Sequence, residues 1–505
     1  MAVADQPPLR RPIPWAVRLP ILALAGAPRV WAAVSDQGLF WPDEFYQSLE
    51  QAHRFAFGYG IVPWEFVEGA RSWVYPGTIG LLWKALDAVG VHDARALILV
   101  AKLLMAALAV AGVEAVLRIA HAMAGLRGAA LAGILVALHP ALVFFATKCF
   151  SESASGPVIA IATALAFRRD AHRAGGRVRL ALSGALASLA IYLRYQNGLL
   201  AVGLLAILLS ERRRRDAVSF AGGAIVVGVA GGLLDAVIWG SPFHSFFAYL
   251  RFQLGNGAAA WGTAGFDYYL RYGWFSTGPA MMVVVLGLVF IAEHAWRLVA
   301  LVGLYLLVHS LVPHKEYRYL TPVLPLVLAL SGAGLVKAID ALRPQLAERF
   351  GARAGRAERV VAGIVVGLVC AGFAERMARM TFADLGHGDG LAAGLASGRD
   401  RPWHAAEGIN RLLWAAGEAD DVCGVVIQDI PWSSTGGYAY FHKDAPLLFE
   451  YTERNLASAN YLIARRETPR RTGYRPGPES RGFVLLRRDG ICAPPPEGFS
   501  RIEPP

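Results

Sequence analysis

The 505-residue chain carries little charge for its length. Asp, Glu, Lys and Arg make up 17% of it, against about 25% in an average soluble domain. Hydrophobic residues make up 55%, and the mean hydropathy is +0.42. A bilayer-crossing helix needs about 20 mostly apolar residues, and this composition supplies many of them. It excludes a disordered or purely cytosolic chain and indicates a polytopic helical membrane protein.

Cysteine and nucleotide-binding motifs are also scarce. The four cysteines fit neither a disulfide-rich scaffold nor a zinc-site spacing. Cys423 and Cys492 share the C-terminal segment and can pair if that segment is extracytoplasmic. The sequence has no Asp-x-Asp, the usual metal clamp for a nucleotide-diphosphate sugar, and no P-loop. ATP-driven or nucleotide-sugar chemistry at the cytoplasmic face therefore has little support.

Apolar segments recur along the first three quarters of the chain. Together with 21–34 they number eleven, and the others are 94–118, 128–147, 153–168, 180–194, 196–210, 217–239, 276–295, 298–313, 319–338 and 360–374. They predict a mainly α-helical membrane protein with about eleven transmembrane helices. The segment 75–90 is shorter and carries Lys84 and Asp87, which favours a helix at the membrane surface.

Arginine clusters predict the orientation. The net charge of +11 alone is compatible with a nucleic-acid binder, but the clusters fall between apolar segments. The gaps 118–127, 168–179, 211–216 and 341–359 hold 16 Arg, which is typical of cytoplasmic loops. The segments then expected on the outer side are 36–75, 148–152, 194–197, 240–275, 314–318 and the chain after about residue 376.

The C-terminal part has a different pattern. Strand candidates occur at 421–427, 461–464 and 483–486, after an amphipathic helix near 404–416. We therefore predict two domains. Residues 1–375 form the membrane domain with an outer loop at 36–75, and residues 376–505 form a small α/β extracytoplasmic domain.

Two adjacent carboxylates, Asp43 and Glu44, follow the first apolar segment. Neighbouring side chains on a helix diverge by about 100°, so both cannot face one reacting centre. One of them is the expected general base. The alternative, an acidic residue at a helix N-terminus favoured by the helix dipole, stays open.

A basic motif, residues 313–319, lies between two apolar segments on the same predicted side. His314, Lys315 and Arg318 are suited to bind a lipid-linked phosphate through charge-assisted hydrogen bonds. The alternative is snorkelling of Lys315 and Arg318 beside a tyrosine belt, but cations of that kind gather on the cytoplasmic side.

Other polar residues near the outer ends of apolar segments are Lys148, Glu152, Arg194, Gln196, Asn197 and Asp235. A lipid-facing charge costs about 2.5–3.5 kcal/mol, so we expect them to face a cavity, with Glu152 and Asp235 interpreted as structural ion pairs or boundary residues.

The ordered motifs resemble glycosyltransferase family 22, the polyprenol-phosphate-mannose mannosyltransferases of N-glycan and GPI-anchor assembly. The likeness covers about 15–340 and, more faintly, 431–446. It rests on the segments 41–50, 58–60, 64–65, 71–72 and 314–319, together with His53. The resemblance implies a GT-C fold, an active site on the lumenal or periplasmic side, and no nucleotide.

The resemblance also implies roles for individual residues. Asp43 matches the catalytic base, with Glu44 beside it, and His314, Lys315 and Glu316 match the family's His-Lys-Glu motif. The expected donor-phosphate ligands are His314, Lys315, Arg318 and Arg194. Apart from the resemblance, we expect Glu316, Gln47, Lys148 and Gln196 to be supporting residues and Trp64, Glu65 and Arg71 to bind the acceptor, although membrane-interface packing explains Trp64 equally well.

The expected reaction is an inverting transfer of mannose. The expected partners are a polyprenyl-phosphate sugar, a glycan or glycolipid acceptor and membrane lipids, with no nucleic acid. No cofactor is required, although a divalent metal near Asp43 and Glu44 stays open.

The Arg- and Ala-rich composition favours a bacterial inner-membrane protein, and a eukaryotic member would lie in the ER membrane. The alternative is a lipid or solute transporter, which predicts repeat symmetry and midplane charges that the sequence does not show.

Overall fold

The structure is a computed structural model and describes residues 12–167, 176–255, 257–386, 399–468 and 471–501. Its α-helices are α1 Trp15–Ser35, α2 Pro42–Glu44, α3 Glu50–Phe57, α4 Trp64–Val67, α5 Val74–Ala88, α6 Ala94–Leu138, α7 Pro140–Phe145, α8 Ser151–Phe167, α9 Gly176–Leu193, α10 Gly198–Ser210, α11 Arg214–Trp239, α12 His244–Leu254, α13 Tyr268–Thr277, α14 Ala280–Leu311, α15 Leu324–Ala341, α16 Arg343–Phe350, α17 Ala354–Arg379, α18 Glu407–Gly417, α19 Gly437–Phe441 and α20 Glu453–Ala457. A π-helix spans Phe45–Leu49, and the 3₁₀ turns are Tyr195–Asn197, Gly257–Trp261, Tyr317–Leu320, Gly351–Arg353, Ala383–Leu385 and Trp432–Ser434. The strands are β1 Val425–Ile427, β2 Leu447–Leu448, β3 Tyr461–Arg465, β4 Tyr474–Ser480 and β5 Phe483–Arg488.

The membrane body is helical, as predicted. Among the described residues, six helical stretches are long and apolar enough to cross a membrane, and the longest of them runs through α15, α16 and α17. They are Trp15–Ser35, Ala94–Leu138, Gly176–Leu193, Arg214–Trp239, Ala280–Leu311 and Leu324–Arg379. All eleven predicted apolar segments are helical over most of their length. The segment 75–90 forms α5, a 15-residue helix outside this set.

Two of the long helices are interrupted where the sequence separates two apolar segments. In α6, Gly125 has φ 71°, a left-handed value that glycine adopts without a steric penalty. A Cβ atom on Gly133 would lie 2.4 Å from Leu117 Cδ2, and the two residues are equally far from Gly125. The chain therefore folds back on itself at Gly125. In α14 the break is at Ala295, which has φ −132° and ψ 35°.

The first helix carries two arginines, and each has a specific partner. Arg18 pairs with Glu114 at 2.9 Å. Arg29 is buried, and its guanidinium donates to Ala137 O at 2.8 Å and to Val136 O at 3.1 Å. These carbonyls belong to the last turn of α6, where backbone acceptors lack a partner within the helix. An arginine in an apolar helix is stabilised here because it caps another helix.

The C-terminal part contains one mixed sheet in the order β2-β1-β3-β5-β4. Strand β1 is parallel to β2 and β3, whereas β5 is antiparallel to β3 and β4. The predicted strands correspond to β1, β3 and β5. Sequence patterning misses the two-residue β2 and the exposed edge strand β4, whose two prolines are tolerated only at a sheet edge. A disulfide joins Cys423 to Cys492.

The C-terminal sheet and the outer loop 36–75 share a hydrophobic core. Phe45 and Leu49 of the loop lie in one buried cluster with Ile427 of β1 and Tyr440 of α19. Leu39 N also donates to Ala405 O at 2.7 Å. The predicted boundary at 375/376 falls inside α17, which continues to Arg379. The outer loop is therefore enclosed between the membrane helices and the C-terminal domain.

Candidate functional site

Asp43 lies in the first turn of a helical arm that follows the first long helix. Trp41 is extended, and Pro42 begins α2, where its fixed φ suits the first helical position. The arm continues through the π-helix Phe45–Leu49 into α3. The side chain of Asp43 is 23% exposed, so it remains accessible from one side.

The acidic and basic motifs meet at Asp43 and Arg318. Arg318 Nη2 donates to Asp43 Oδ2 at 2.5 Å, although the two residues are 275 positions apart. Arg318 stands on the 3₁₀ turn Tyr317–Leu320 between α14 and α15, and its side chain is 2% exposed. One buried cation therefore anchors the carboxylate that the sequence assigns as the base.

Glu316 brings the basic motif together. Its carboxylate lies 2.6 Å from Arg318 Nε and accepts from Arg318 Nη2 at 3.0 Å. Its Oε1 atom also accepts from Tyr319 Oη at 3.0 Å and lies 3.1 Å from His314 Nε2. The two contacts between the Glu316 carboxylate and Arg318 fix the plane of the guanidinium. They therefore also fix the direction in which the guanidinium faces Asp43.

Lys315 and His314 also hold the neighbouring outer loop. Lys315 Nζ donates to Ala264 O at 2.7 Å and to Val312 O at 2.6 Å. The Nδ1 atom of His314 lies 2.9 Å from Gly262 O. Of the predicted phosphate ligands, these two are thus engaged with backbone carbonyls.

Arg194 and Glu152 form a second ion pair next to Arg318. Glu152 Oε1 is 3.3 Å from Arg194 Nη1 and 3.7 Å from Arg318 Nε. The Arg194 guanidinium also lies over the Tyr319 ring, 4.7 Å from its centroid. Glu152 is an ion-pair residue, as interpreted from the sequence, and its partners are two arginines of the site.

Glu44 points away from Asp43, as the helical geometry predicts. It is completely buried, accepts from Phe40 N at 3.2 Å and lies 3.8 Å from Lys148 Nζ. Lys148 pairs more closely with Asp36, at 2.9 Å. The structure therefore brings Asp43, and not Glu44 or Lys148, to Arg318.

The predicted acceptor residues border Asp43 from the side of α4. Gln47 Nε2 donates to Glu65 Oε1 at 2.7 Å, and Glu65 is buried. Burial and the neighbouring charge of Asp43 raise the pKa of Glu65 to about 7. The Trp64 ring packs on Phe252 of α12, with centroids 4.7 Å apart.

Arg71 and Gln196 both contact Tyr249 of α12. The guanidinium of Arg71 lies 5.9 Å from the centroid of the Tyr249 ring. The side-chain amide of Gln196 donates to the Tyr249 hydroxyl. Tyr249 thus links the two residues, although no sequence motif points to it.

A segment of the C-terminal domain supports the helical arm from behind. Tyr46 Oη donates to Trp432 O at 2.8 Å, and Glu50 Oε2 accepts from Ala439 N at 3.1 Å. One turn further, the rings of His53 and His442 are linked through Nε2 and Nδ1 at 2.9 Å. The only sequence signal for this segment is the faint family likeness at 431–446.

Glu50 is the central contact of this support. Its second oxygen accepts from Ile61 N at 2.7 Å, and burial raises its pKa to about 7. Gly437 passes so close that a Cβ atom there would lie 2.6 Å from Glu50 Oε2, and its φ of +56° also favours glycine.

No group of three or more His, Cys, Asp or Glu side chains suited to a metal ion occurs in the described part of the chain. Independence from metal stays a prediction.

Solved structures share this architecture at low sequence identity. ArnT from Cupriavidus metallidurans bound to undecaprenyl phosphate has a TM-score of 0.59 at 14% identity, covering 95% of this chain and 98% of that chain. The apo oligosaccharyltransferase of Archaeoglobus fulgidus has a TM-score of 0.55 at 10% identity, covering 89% and 69%. Both are GT-C membrane glycosyltransferases, so the predicted GT-C fold is confirmed.

Curated relatives match the sequence over a shorter range. GPI mannosyltransferase 3 of Yarrowia lipolytica is 29% identical over 336 residues, which cover 65% of each chain. GPI alpha-1,2-mannosyltransferase 3 of Homo sapiens is 26% identical over 321 residues, covering 62% of this chain and 57% of the relative. The matches thus span between about half and two thirds of these relatives. The model of the Alg9-like mannosyltransferase family matches residues 21–383, which include both the acidic and the basic motif. The chain therefore belongs to the Alg9-like mannosyltransferase family.

Proposed function

We propose that this protein transfers mannose from a polyprenyl (dolichyl-type) phosphate to a hydroxyl group of a glycan or glycolipid. Membership of a mannosyltransferase family and the GT-C fold support a membrane-bound glycosyltransferase. The contact between Asp43 and Arg318 is the observation that carries the site assignment, since it joins two motifs far apart in the chain.

The proposed reaction is a single inverting displacement. The acceptor oxygen forms a bond to the anomeric carbon while the bond from that carbon to the phosphate oxygen breaks. Asp43 takes the proton of the acceptor hydroxyl, and the polyprenyl phosphate leaves with the bonding electron pair as a dianion. The transition state has oxocarbenium character, as in glycoside hydrolysis, so a base and an anion-stabilising group must flank it.

The contacts of the site support a separate role for each residue in the reaction. Arg318 orients Asp43 and adds positive charge beside the departing phosphate. Arg194 donates to the phosphate, and each well-aimed donor contributes about 2.7–4 kcal/mol to the transition state. His314, whose two ring nitrogens lie beside Gly262 O and Glu316 Oε1, contributes its positive charge. Lys315 acts at the same place by holding the loop at Ala264 and adding its charge. Glu65, Gln47 and Trp64 face the acceptor.

We place this site on the lumenal or periplasmic side of the membrane. The arginine-rich gaps support a cytoplasmic position for the opposite ends of the helices. The disulfide between Cys423 and Cys492 supports the same orientation, because such bonds persist in oxidising compartments.

Purified protein supplied with labelled polyprenyl-phosphate-mannose and a membrane lipid extract tests the proposal. We expect labelled product, an undiminished rate in a metal chelator, and a loss of at least about 100-fold in Asp43→Asn. Asp87→Asn, which changes a half-exposed carboxylate on α5, is the matched control. An Asp43→Asn enzyme with near wild-type transfer removes the base assignment. Movement of the donor across vesicles without any product favours the transporter instead.

A further inference from the structure

Several buried polar atoms around Arg194 and Arg318 are not engaged in hydrogen bonds. Within the described part of the chain, none of Arg194 Nη1, Arg318 Nη1, Glu152 Oε1 and Gln196 Oε1 has a hydrogen-bond partner. The side chains of Arg194, Glu152 and Arg318 are at most 5% exposed. Buried polar groups are almost always paired, so unpaired groups at one place require a physical explanation.

The ion pairs of Glu152 do not use its hydrogen-bonding capacity. Oε1 lies 3.3 Å from Arg194 and 3.7 Å from Arg318, so it neutralises both arginines at longer range. The other oxygen, Oε2, accepts from Ser151 Oγ at 3.0 Å. Glu152 Oε1 is thus held in place by the two arginines but can still accept a hydrogen bond.

The unpaired atoms include both donors and acceptors, and this restricts which chemical groups a ligand bound here can have. A phosphate group can only accept, so it satisfies the arginines and leaves Glu152 and Gln196 unpaired. Sugar hydroxyls both donate and accept. A phosphosugar, with its phosphate on the arginines and its hydroxyls on Glu152 and Gln196, satisfies the whole set.

We infer that Glu152 Oε1, assisted by Gln196 Oε1, accepts hydrogen bonds from hydroxyls of the donor hexose and so determines which sugar is transferred. This inference rests on the proposed function, because it assigns a sugar subsite to the same donor. It gives Glu152 a direct contact with substrate in addition to its ion pairs. Gln196 is suited to the second contact because its amide nitrogen already donates to Tyr249, which leaves its oxygen to accept.

A matrix of variants and deoxy donors tests the inference. The donors are polyprenyl-phosphate-mannose and its 2-, 3-, 4- and 6-deoxy analogues, and the enzymes are wild type, Glu152→Ala, Glu152→Gln and the control Asp87→Asn. We expect wild type to lose about 10- to 100-fold in kcat/KM with at least one analogue, since removing that hydroxyl leaves a buried acceptor, Glu152 Oε1, without a hydrogen-bond partner. Glu152→Ala should be weaker with the parent donor yet lose less than about threefold more with that analogue. Glu152→Gln, which keeps an oxygen acceptor, should lie between them.

The results separate the possible failures. If wild type uses all four analogues within about twofold of the parent, or if the effects of Glu152→Ala and of the missing hydroxyl simply multiply at every position, the sugar contact is refuted. If the Glu152 variants do not fold, as judged by gel filtration and thermal unfolding, Gln196→Met carries the same test for its own hydroxyl. If wild type transfers nothing from the parent donor, the proposed function has failed instead.

Discussion

Arg318→Lys is the substitution that most directly tests how the site holds its base. Arg318 contacts Asp43 at 2.5 Å and meets Glu316 through two nitrogens, at 2.6 and 3.0 Å. A guanidinium has several donors in one rigid plane, whereas an ammonium is a single point of charge on a flexible stem. Lysine at this position can stay with Asp43 or with Glu316, but it cannot reproduce both contacts.

The structure sets the size of the expected effect. Loss of one charge-assisted hydrogen bond costs about 1.5–3 kcal/mol. If that cost falls on the alignment of Asp43, kcat decreases by about 10- to 150-fold, while KM for the donor changes less. Arg318→Gln also leaves the surrounding carboxylates without their cation, and we expect it to destabilise the fold by about 3–5 kcal/mol.

The assay is saturation kinetics of mannose transfer by the purified variants, with thermal unfolding in detergent as the folding check. Arg466→Lys is the matched control, because Arg466 forms an exposed ion pair with Glu479 at 3.4 Å. Exposed pairs contribute about 0–1 kcal/mol, and this one lies on the C-terminal sheet. An Arg318→Lys enzyme with kcat within about threefold of wild type would refute the reasoning that a planar two-point cation orients Asp43.

Two further predictions concern the support of the helical arm. Because burial raises the pKa of Glu50 to about 7, the folded protein keeps a proton that the unfolded chain releases near pH 4.5, and this carboxyl's contribution to stability decreases by about 3 kcal/mol as the pH rises between those values. Wild type should therefore be more stable relative to Glu50→Gln at pH 5 than at pH 8 in thermal unfolding, and a gap that widens with pH contradicts the assignment. Tyr46→Phe removes the hydroxyl that donates to Trp432 O, so we expect about 1–3 kcal/mol less stability and faster limited proteolysis of residues after 400. A digestion rate equal to that of wild type would show that this contact does not hold the C-terminal domain.

The helical membrane fold could be predicted because membrane spans impose a simple pattern. Apolar segments of the required length specify helices whatever surrounds them. The turn at Gly125 lies in the gap 118–127, which separates two such segments. The divergence of the Asp43 and Glu44 side chains follows equally from helical geometry.

Partner choice within the site could not be predicted in the same way. The sequence assigned Arg318 and Lys315 to a phosphate, but it contained no information that Arg318 meets Asp43 or that Lys315 meets Ala264 O. These contacts depend on where separate helices end in three dimensions. The docking of Trp432 on Tyr46 spans 386 positions and leaves no periodic signal in the chain.

The wide turn Phe45–Leu49 has a consequence for how the protein tolerates changes in length. A π turn accommodates one residue more than an α turn. Deleting a single residue there would restore ordinary winding and rotate everything downstream by about 100° relative to Asp43. The faces that Glu50 and His53 present to α19 and His442 would then rotate away, although every remaining side chain would be unchanged. A point substitution in this turn therefore changes individual contacts, whereas a single-residue insertion or deletion changes the rotation of the downstream helix.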